Sequence, residues 1–271
     1  MTTLVTRPQP QADEWAQALS AQGVPARALP LIDIAAPPRA QDVAELWATL
    51  PSHRTLMFVS PAAVDWFFRL RPPAIATWPE DTLAAAPGPG TARVLQALGG
   101  PLGLRPEHLV SPEADSPQFD SEALWPHLAG LDWQGQCIAI VSGGDAAGSR
   151  GRTWLSAQWR ARGAEVHAVQ AYQRTPGTWT PAQQALARQA LARPEAHVWL
   201  FSSSQAIDHL AEAHLPALAA AAHAPAPDWP RARALCTHPR IAERARALGF
   251  GEVRQCAPTL SAVVEARRSP P

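Results

Sequence analysis

Tyr172 is the only tyrosine in a chain of 271 residues that carries eleven tryptophans. It closes the run 166–172, which reads as a strand, so its phenol is expected at a carboxyl strand end and facing an opening. In parallel α/β folds ligands gather outside those ends. A phenol, with an ordinary pKa of about 10, stays neutral there and can give a proton or a hydrogen bond. A strand-end aromatic also serves as plain packing, and position alone does not choose between the two.

A second set of residues sits at strand-to-helix turns: Ser60, Gly90-Thr91, Gly143-Gly144 with the glycines of 148–151, and Ser202-Ser203-Ser204. Free backbone N–H groups at such turns attract anions, and neighbouring hydroxyls share the work. Any one of them is equally explained by helix capping. Arg7 and Arg152 stand at or just before helix starts, placed to pair with carboxylates. Ser60, Thr91, Ser203, Arg7 and Arg152 are therefore the candidate binding residues, and Tyr172 the candidate catalytic one.

Much chemistry is excluded. All 23 basic residues are arginine, so no ε-amine exists for Schiff-base, pyridoxal phosphate or Walker-type chemistry. The nine histidines show no ligand spacing and no metal is expected. No GxGxxG follows the first strand, and no Ser–His–Asp arrangement stands out.

The elements that must position these groups repeat along the chain. Pro89, Thr91-Ala92 and Ala97-Leu98-Gly99 answer to Pro239, Ile241-Ala242 and Ala247-Leu248-Gly249. The run Phe58-Val59-Ser60-Pro61 answers to Phe201-Ser202-Ser203-Ser204, and Trp15, Leu19 and Gly23 to Leu155, Trp159 and Gly163. Strands are expected at 3–6, 28–34, 55–59, 82–86, 108–111, 136–142, 166–172, 197–201, 234–237 and 253–256, with helices between them. A glycine-rich loop is expected after 142, an Ala/Pro-rich surface segment at 217–230 and a frayed tail at 267–271. Alternating strands and helices argue for parallel sheets covered on both faces. Two proline-rich crossings divide the chain into interleaved lobes, residues 1–34 with 176–271 and residues 35–175. Two similar lobes make a cleft, where ligands tend to bind.

A hydrophobic fraction of 46% against 17% charged describes a soluble globular chain. Zero net charge gives no electrostatic case for nucleic acid or a membrane surface. The three cysteines lack metal spacing and are odd in number, so buried, reduced thiols are expected. Arg7-Pro8 interrupts the N-terminus before a signal peptide can form. The cytoplasm is the expected location.

Several of these runs are similar to those of uroporphyrinogen-III synthases. They are Leu4-Val5-Thr6-Arg7-Pro8, Leu29-Pro30-Leu31-Ile32-Asp33-Ile34, the Ser60 turn, Gly151-Arg152-Thr153-Trp154-Leu155, Ala171-Tyr172-Gln173-Arg174 and the Ser203 turn, in order over nearly the whole chain. The resemblance implies two flavodoxin-like lobes joined by a two-stranded linker. It also implies cofactor-free cyclisation of the linear tetrapyrrole hydroxymethylbilane to uroporphyrinogen III, with loss of water and inversion of ring D. Departure of the terminal hydroxyl gives an azafulvene; the substituted carbon of ring D attacks it, and the resulting spiro-pyrrolenine reopens and recloses.

Tyr172 matches the family's tyrosine, and Ser60, Thr91 and Ser203 align with hydroxyls lining its cleft. Replacing Ser60 or Thr91 is expected to cost less than replacing Tyr172, because backbone donors share the load. Where the family commonly has Gly-Pro-x-Thr-Ala, this chain reads His238-Pro239-Arg240-Ile241-Ala242, losing a glycine and a hydroxyl. A monomer in transient contact with hydroxymethylbilane synthase is the expected working form. The rival readings are a non-catalytic two-lobed ligand sensor and a flavodoxin-like flavin protein.

Overall fold

A computed structural model describes residues 1–113, 116, 120–145, 148–149, 153–220 and 226–268. The chain opens with β1 (Thr2–Val5), α1 (Gln11–Ala21), β2 (Ala26–Ala28) and β3 (Ile32–Ala35). Next come α2 (Ala40–Ala48), β4 (Thr55–Phe58), α3 (Pro61–Arg69), β5 (Leu83–Ala85), α4 (Pro89–Gly99), β6 (Leu109–Val110) and α5 (Ser121–Leu124). β7 (Cys137–Asp145), β8 (Gly148–Ser149), α6 (Thr153–Arg160) and β9 (Glu165–Pro176) follow. The remainder is α7 (Pro181–Ala192), β10 (His197–Phe201), α8 (Ser204–His209), α9 (Leu215–Ala220), β11 (Arg233–Cys236), α10 (Pro239–Leu248), β12 (Glu252–Gln255) and α11 (Leu260–Arg268).

These elements form two compact units, Met1–Asp33 with Thr175–Pro271, and Ile34–Arg174. In the first, five strands pair in parallel in the order β12-β11-β10-β1-β2. A parallel strand is covered on both faces and so reads as a continuous apolar run; β10, HVWLF, is buried throughout. Val5, Leu200 and Leu235 from the sheet pack with Leu19 of α1 and Val263 and Val264 of α11.

In the second unit the order is β3-β9-β7-β4-β5-β6, with the short β8 antiparallel to β7. Alternate residues of one strand enter opposite cores, as the period-two geometry of a strand requires. Leu56 and Phe58 of β4 join Trp47, Phe67, Leu95 and Tyr172. Met57 goes the other way, to Ile138, Ile140, Trp133 and Trp159.

Among the departures from the sequence reading, four concern how the chain is divided into elements. The strand expected at 28–34 is two strands, β2 and β3, in different sheets. Pro30 has no N–H to give to a ladder, while its neighbours Leu29 and Leu31 donate to Val5 O and Thr6 O. Pro30 O instead accepts from the Trp179 indole at 2.7 Å. The backbone of Gly177 passes so close to it that a Cβ would collide. Second, β7 runs on through Gly143-Gly144 to Asp145 rather than ending in a loop at 142. Third, the segment expected at 217–230 is helical as far as Ala220, because a π turn at Leu210–His214 carries α8 into α9. Fourth, the tail is not frayed at Arg267, which belongs to α11 and donates to Thr3 Oγ1 at 2.9 Å and to Met1 O at 3.1 Å; residues 269–271 lie outside the described residues.

Candidate functional site

β9 carries one residue more than β7 where they pair. Ser142 faces Gln170, but the next residue, Gly143, faces Tyr172. Ala171 is the extra residue of a β-bulge, a feature that re-aims side chains, and both Ala171 and Tyr172 turn inward. The Tyr172 ring lies flat against Gly143, where a Cβ would overlap Cζ, Cε1 and Cε2. Gln170 Nε2 donates to Tyr172 O at 3.2 Å and braces the strand there. Two expectations are corrected here: β9 runs on to Pro176, so Tyr172 lies within the strand and not at its end, and the side chain, expected to face an opening, is 1% exposed.

Its hydroxyl end is polar. Tyr172 Oη is 3.2 Å from Ser60 Oγ, and Arg174 Nη2 donates to it at 2.9 Å. The Arg174 guanidinium carbon stands 5.3 Å from the centre of the phenol ring. Ser60 occupies the turn between β4 and α3, where it caps the helix by accepting from Ala63 N at 3.2 Å. Pro61 follows at the first helical position, where its missing N–H costs nothing.

Ser60 and Tyr172 are thus brought together. Thr91 is buried in the first turn of α4, in the same unit. Arg7 follows β1 in the other unit, half-buried, with its guanidinium 3.9 Å from the centre of the Trp15 ring. Its Nε is buried without a partner, and desolvation lowers its pKa. Ser203 stands at the N-cap of α8 but makes no side-chain cap bond, and Ser202 Oγ is buried and unpartnered. At the departure around 238, the His238 ring itself caps α10, Nδ1 accepting from Arg240 N at 3.2 Å. Arg152 lies outside the described residues. Among the described residues no three His, Cys, Asp or Glu side chains cluster to hold a metal, and no helix is long and apolar enough to cross a membrane.

Sequence reasoning placed Gly143 in a glycine-rich anion-binding turn and quoted Arg174 only as part of a run beside the tyrosine; it did not connect either with the phenol. The signal for Arg174 was its spacing from the tyrosine, since residues two apart on a strand share a face. Gly143 could not be found this way, because its value depends on the register shift opposite it.

Over residues 13–265 the sequence matches the family model of uroporphyrinogen-III synthase HemD. The chain belongs to that family. It is a cyclising lyase of tetrapyrrole biosynthesis, acting on hydroxymethylbilane, and the sensor reading is not favoured. Two solved structures share the fold. One is a mutant uroporphyrinogen III synthase from Thermus thermophilus, 16% identical, with 98% of this chain and 96% of that one covered and a TM-score of 0.52. The other is uroporphyrinogen-III synthetase from Helicobacter pylori, 16% identical, with the same coverage and a TM-score of 0.53. No curated protein matches the chain.

Proposed function

We propose that in this synthase Tyr172 is the group that helps the terminal hydroxyl of hydroxymethylbilane leave as water. The observation that carries this reading is the hydroxyl of the chain's only tyrosine, held by Ser60 and Arg174 at the bulge within β9. General acid assistance of that kind is worth on the order of 10²–10⁴ in rate. The larger task is to hold the flexible tetrapyrrole so that the substituted carbon of ring D reacts and the free one does not.

The acetate and propionate groups of the substrate call for many N–H and O–H donors. Arg7, Ser60, Thr91, Arg152 and Ser203 are the side chains we assign to them, beside the backbone amides of the helix starts. The orphaned Arg7 Nε and Ser202 Oγ support this, since buried donors seldom go without partners. We assign the working lobes to residues 1–34 with 176–271 and to 35–175, a division supported by the internal repeat and the two compact units. The working form is taken to be a cytoplasmic monomer that meets hydroxymethylbilane synthase transiently.

Purified protein given hydroxymethylbilane is expected to release the type III isomer over a spontaneous background of type I. Type I alone would overturn the reading.

A further inference from the structure

The hydroxyls of Tyr172 and Ser60 and the guanidinium of Arg174 can be arranged in only a few ways, and their donor inventory favours one of them. Arginine has donors only, so the bond from Arg174 Nη2 to Tyr172 Oη uses a lone pair of the phenol oxygen and leaves the phenol proton free. The bond from Ala63 N uses a lone pair of Ser60 Oγ in the same way. Between Oη and Oγ, at 3.2 Å, either oxygen can donate. A phenol is far more acidic than an alkyl hydroxyl, and a cation donating to its oxygen makes it a better donor and a poorer acceptor. Of the two directions this favours the phenol giving its proton to Ser60 Oγ, which leaves the serine proton free for another partner. Burial agrees: Tyr172 is 1% exposed, whereas Ser60 is only half-buried.

From this we propose that Arg174 is a positioning residue that orders a relay from Tyr172 through Ser60, so that the Ser60 hydroxyl is the group meeting the departing oxygen. This rests on the synthase reading and deepens it. In the dehydration step the carbon–oxygen bond of the hydroxymethyl group breaks. The leaving oxygen takes the Ser60 proton and departs as water; Ser60 Oγ takes the Tyr172 proton, and Arg174 donates to the phenolate that remains. The substrate is left as an azafulvenium cation. Ring closure ends with loss of a proton from the formerly free carbon of ring D, and that proton returns along the same path to restore both hydroxyls. No co-reactant is needed.

Ser60 then leaves the set of carboxylate binders, since its single proton is committed to the leaving oxygen. Ser60→Ala is no longer a mild substitution, because no backbone amide can take the place of a proton donor. It should lower kcat by a factor approaching that of Tyr172→Phe, and Ser60→Thr should recover most of it.

The test is a double-mutant cycle on the full-length protein, with kcat, KM and isomer ratio measured for wild type, Arg174→Gln, Tyr172→Phe and the pair. Arg174→Gln is expected to lower kcat about 10- to 100-fold, the loss of one charge-assisted hydrogen bond, with KM little changed. The pair should be no slower than Tyr172→Phe alone, since the arginine acts only through the phenol. Arg174→Lys, which keeps the charge, should fall between Arg174→Gln and wild type and covers the case that Arg174→Gln does not fold. A rise in KM with kcat unchanged, or losses that multiply in the pair, would overturn the relay and make Arg174 a carboxylate binder. Absence of type III product from the wild type would instead count against the synthase reading itself.

Discussion

Gly143 and Tyr172 face each other across the bulge so closely that the glycine has no room for a side chain. A Cβ at 143 would overlap three atoms of the phenol ring. The ring cannot retreat, because it is packed in the core with Phe58, Val141 and Ala171. Gly143→Ala is therefore expected to destabilise the fold by about 1–3 kcal/mol, as overpacking does. It should also move the hydroxyl off Ser60 and Arg174, and activity should fall more than stability explains. Chemical denaturation and a rate measurement on the folded variant check this; wild-type values for both would show that the contact is not constraining.

A histidine gives the fold a pH dependence. His214 lies in the π turn, 7% exposed, with its ring stacked on Trp179 at 3.9 Å between centroids. Its Nε2 is buried without a partner. Desolvation by burial lowers its pKa from 6.5 to about 4; the Leu31 carbonyl and Asp33 act the other way, and nearby His209 adds to the lowering. The native state thus refuses a proton that the unfolded chain accepts. This group leaves stability unaffected above about pH 7 and lowers it as pH falls from about 6.5 to about 4, by up to about 1.4 kcal/mol per pH unit. His214→Phe keeps the stack and should flatten that part of a stability-against-pH curve. An unaltered slope in the variant would assign the effect to other groups.

The cysteines should be inert in the folded protein. All three are free thiols, Cys236 buried and Cys137 and Cys256 half-buried. Burial pushes Cys236 up to about 12 and raises the other two. The thiolate is the reactive form, so a thiol reagent at neutral pH is expected to label the native protein slowly and all three sites after denaturation. Rapid labelling of the native protein would contradict this.

The C-terminal helix belongs to the core. Val263 is fully buried and Val264 nearly so, against Val5, Leu19 and Leu200. Val263→Ala should cost about 1–3 kcal/mol from lost burial and the cavity left behind. A change within the error of the melt would mean that α11 is dispensable.

That helix also shows where the sequence stopped being legible. Strong local signals fixed their elements well: β10 lies at its expected bounds, and α10 runs from Pro239 to its stop at Gly249, where φ is +110°. The single tyrosine was placed in the right strand, but not at its end, because β9 runs on to Pro176. What escaped depended on contacts between distant segments. The short apolar pair Val263-Val264 becomes a helix face only when α1 and the sheet are there to cover it. Pro30 sits inside an apolar run, and only the pairing of its neighbours shows that it divides two strands. The burial of Tyr172 follows from one extra residue in β9 opposite a glycine in β7, and no pattern in either segment alone carries a register shift.

The most direct test of the account is the rate of type III formation by Tyr172→Phe under single-turnover conditions with hydroxymethylbilane. Removing the hydroxyl leaves Ser60 and Arg174 without their shared partner and is expected to cost about 1–3 kcal/mol of stability, so the variant's fold must first be confirmed by its melt. The account predicts a folded enzyme slowed by about 10²- to 10⁴-fold that still yields the type III isomer. A folded variant turning over at the wild-type rate would contradict it.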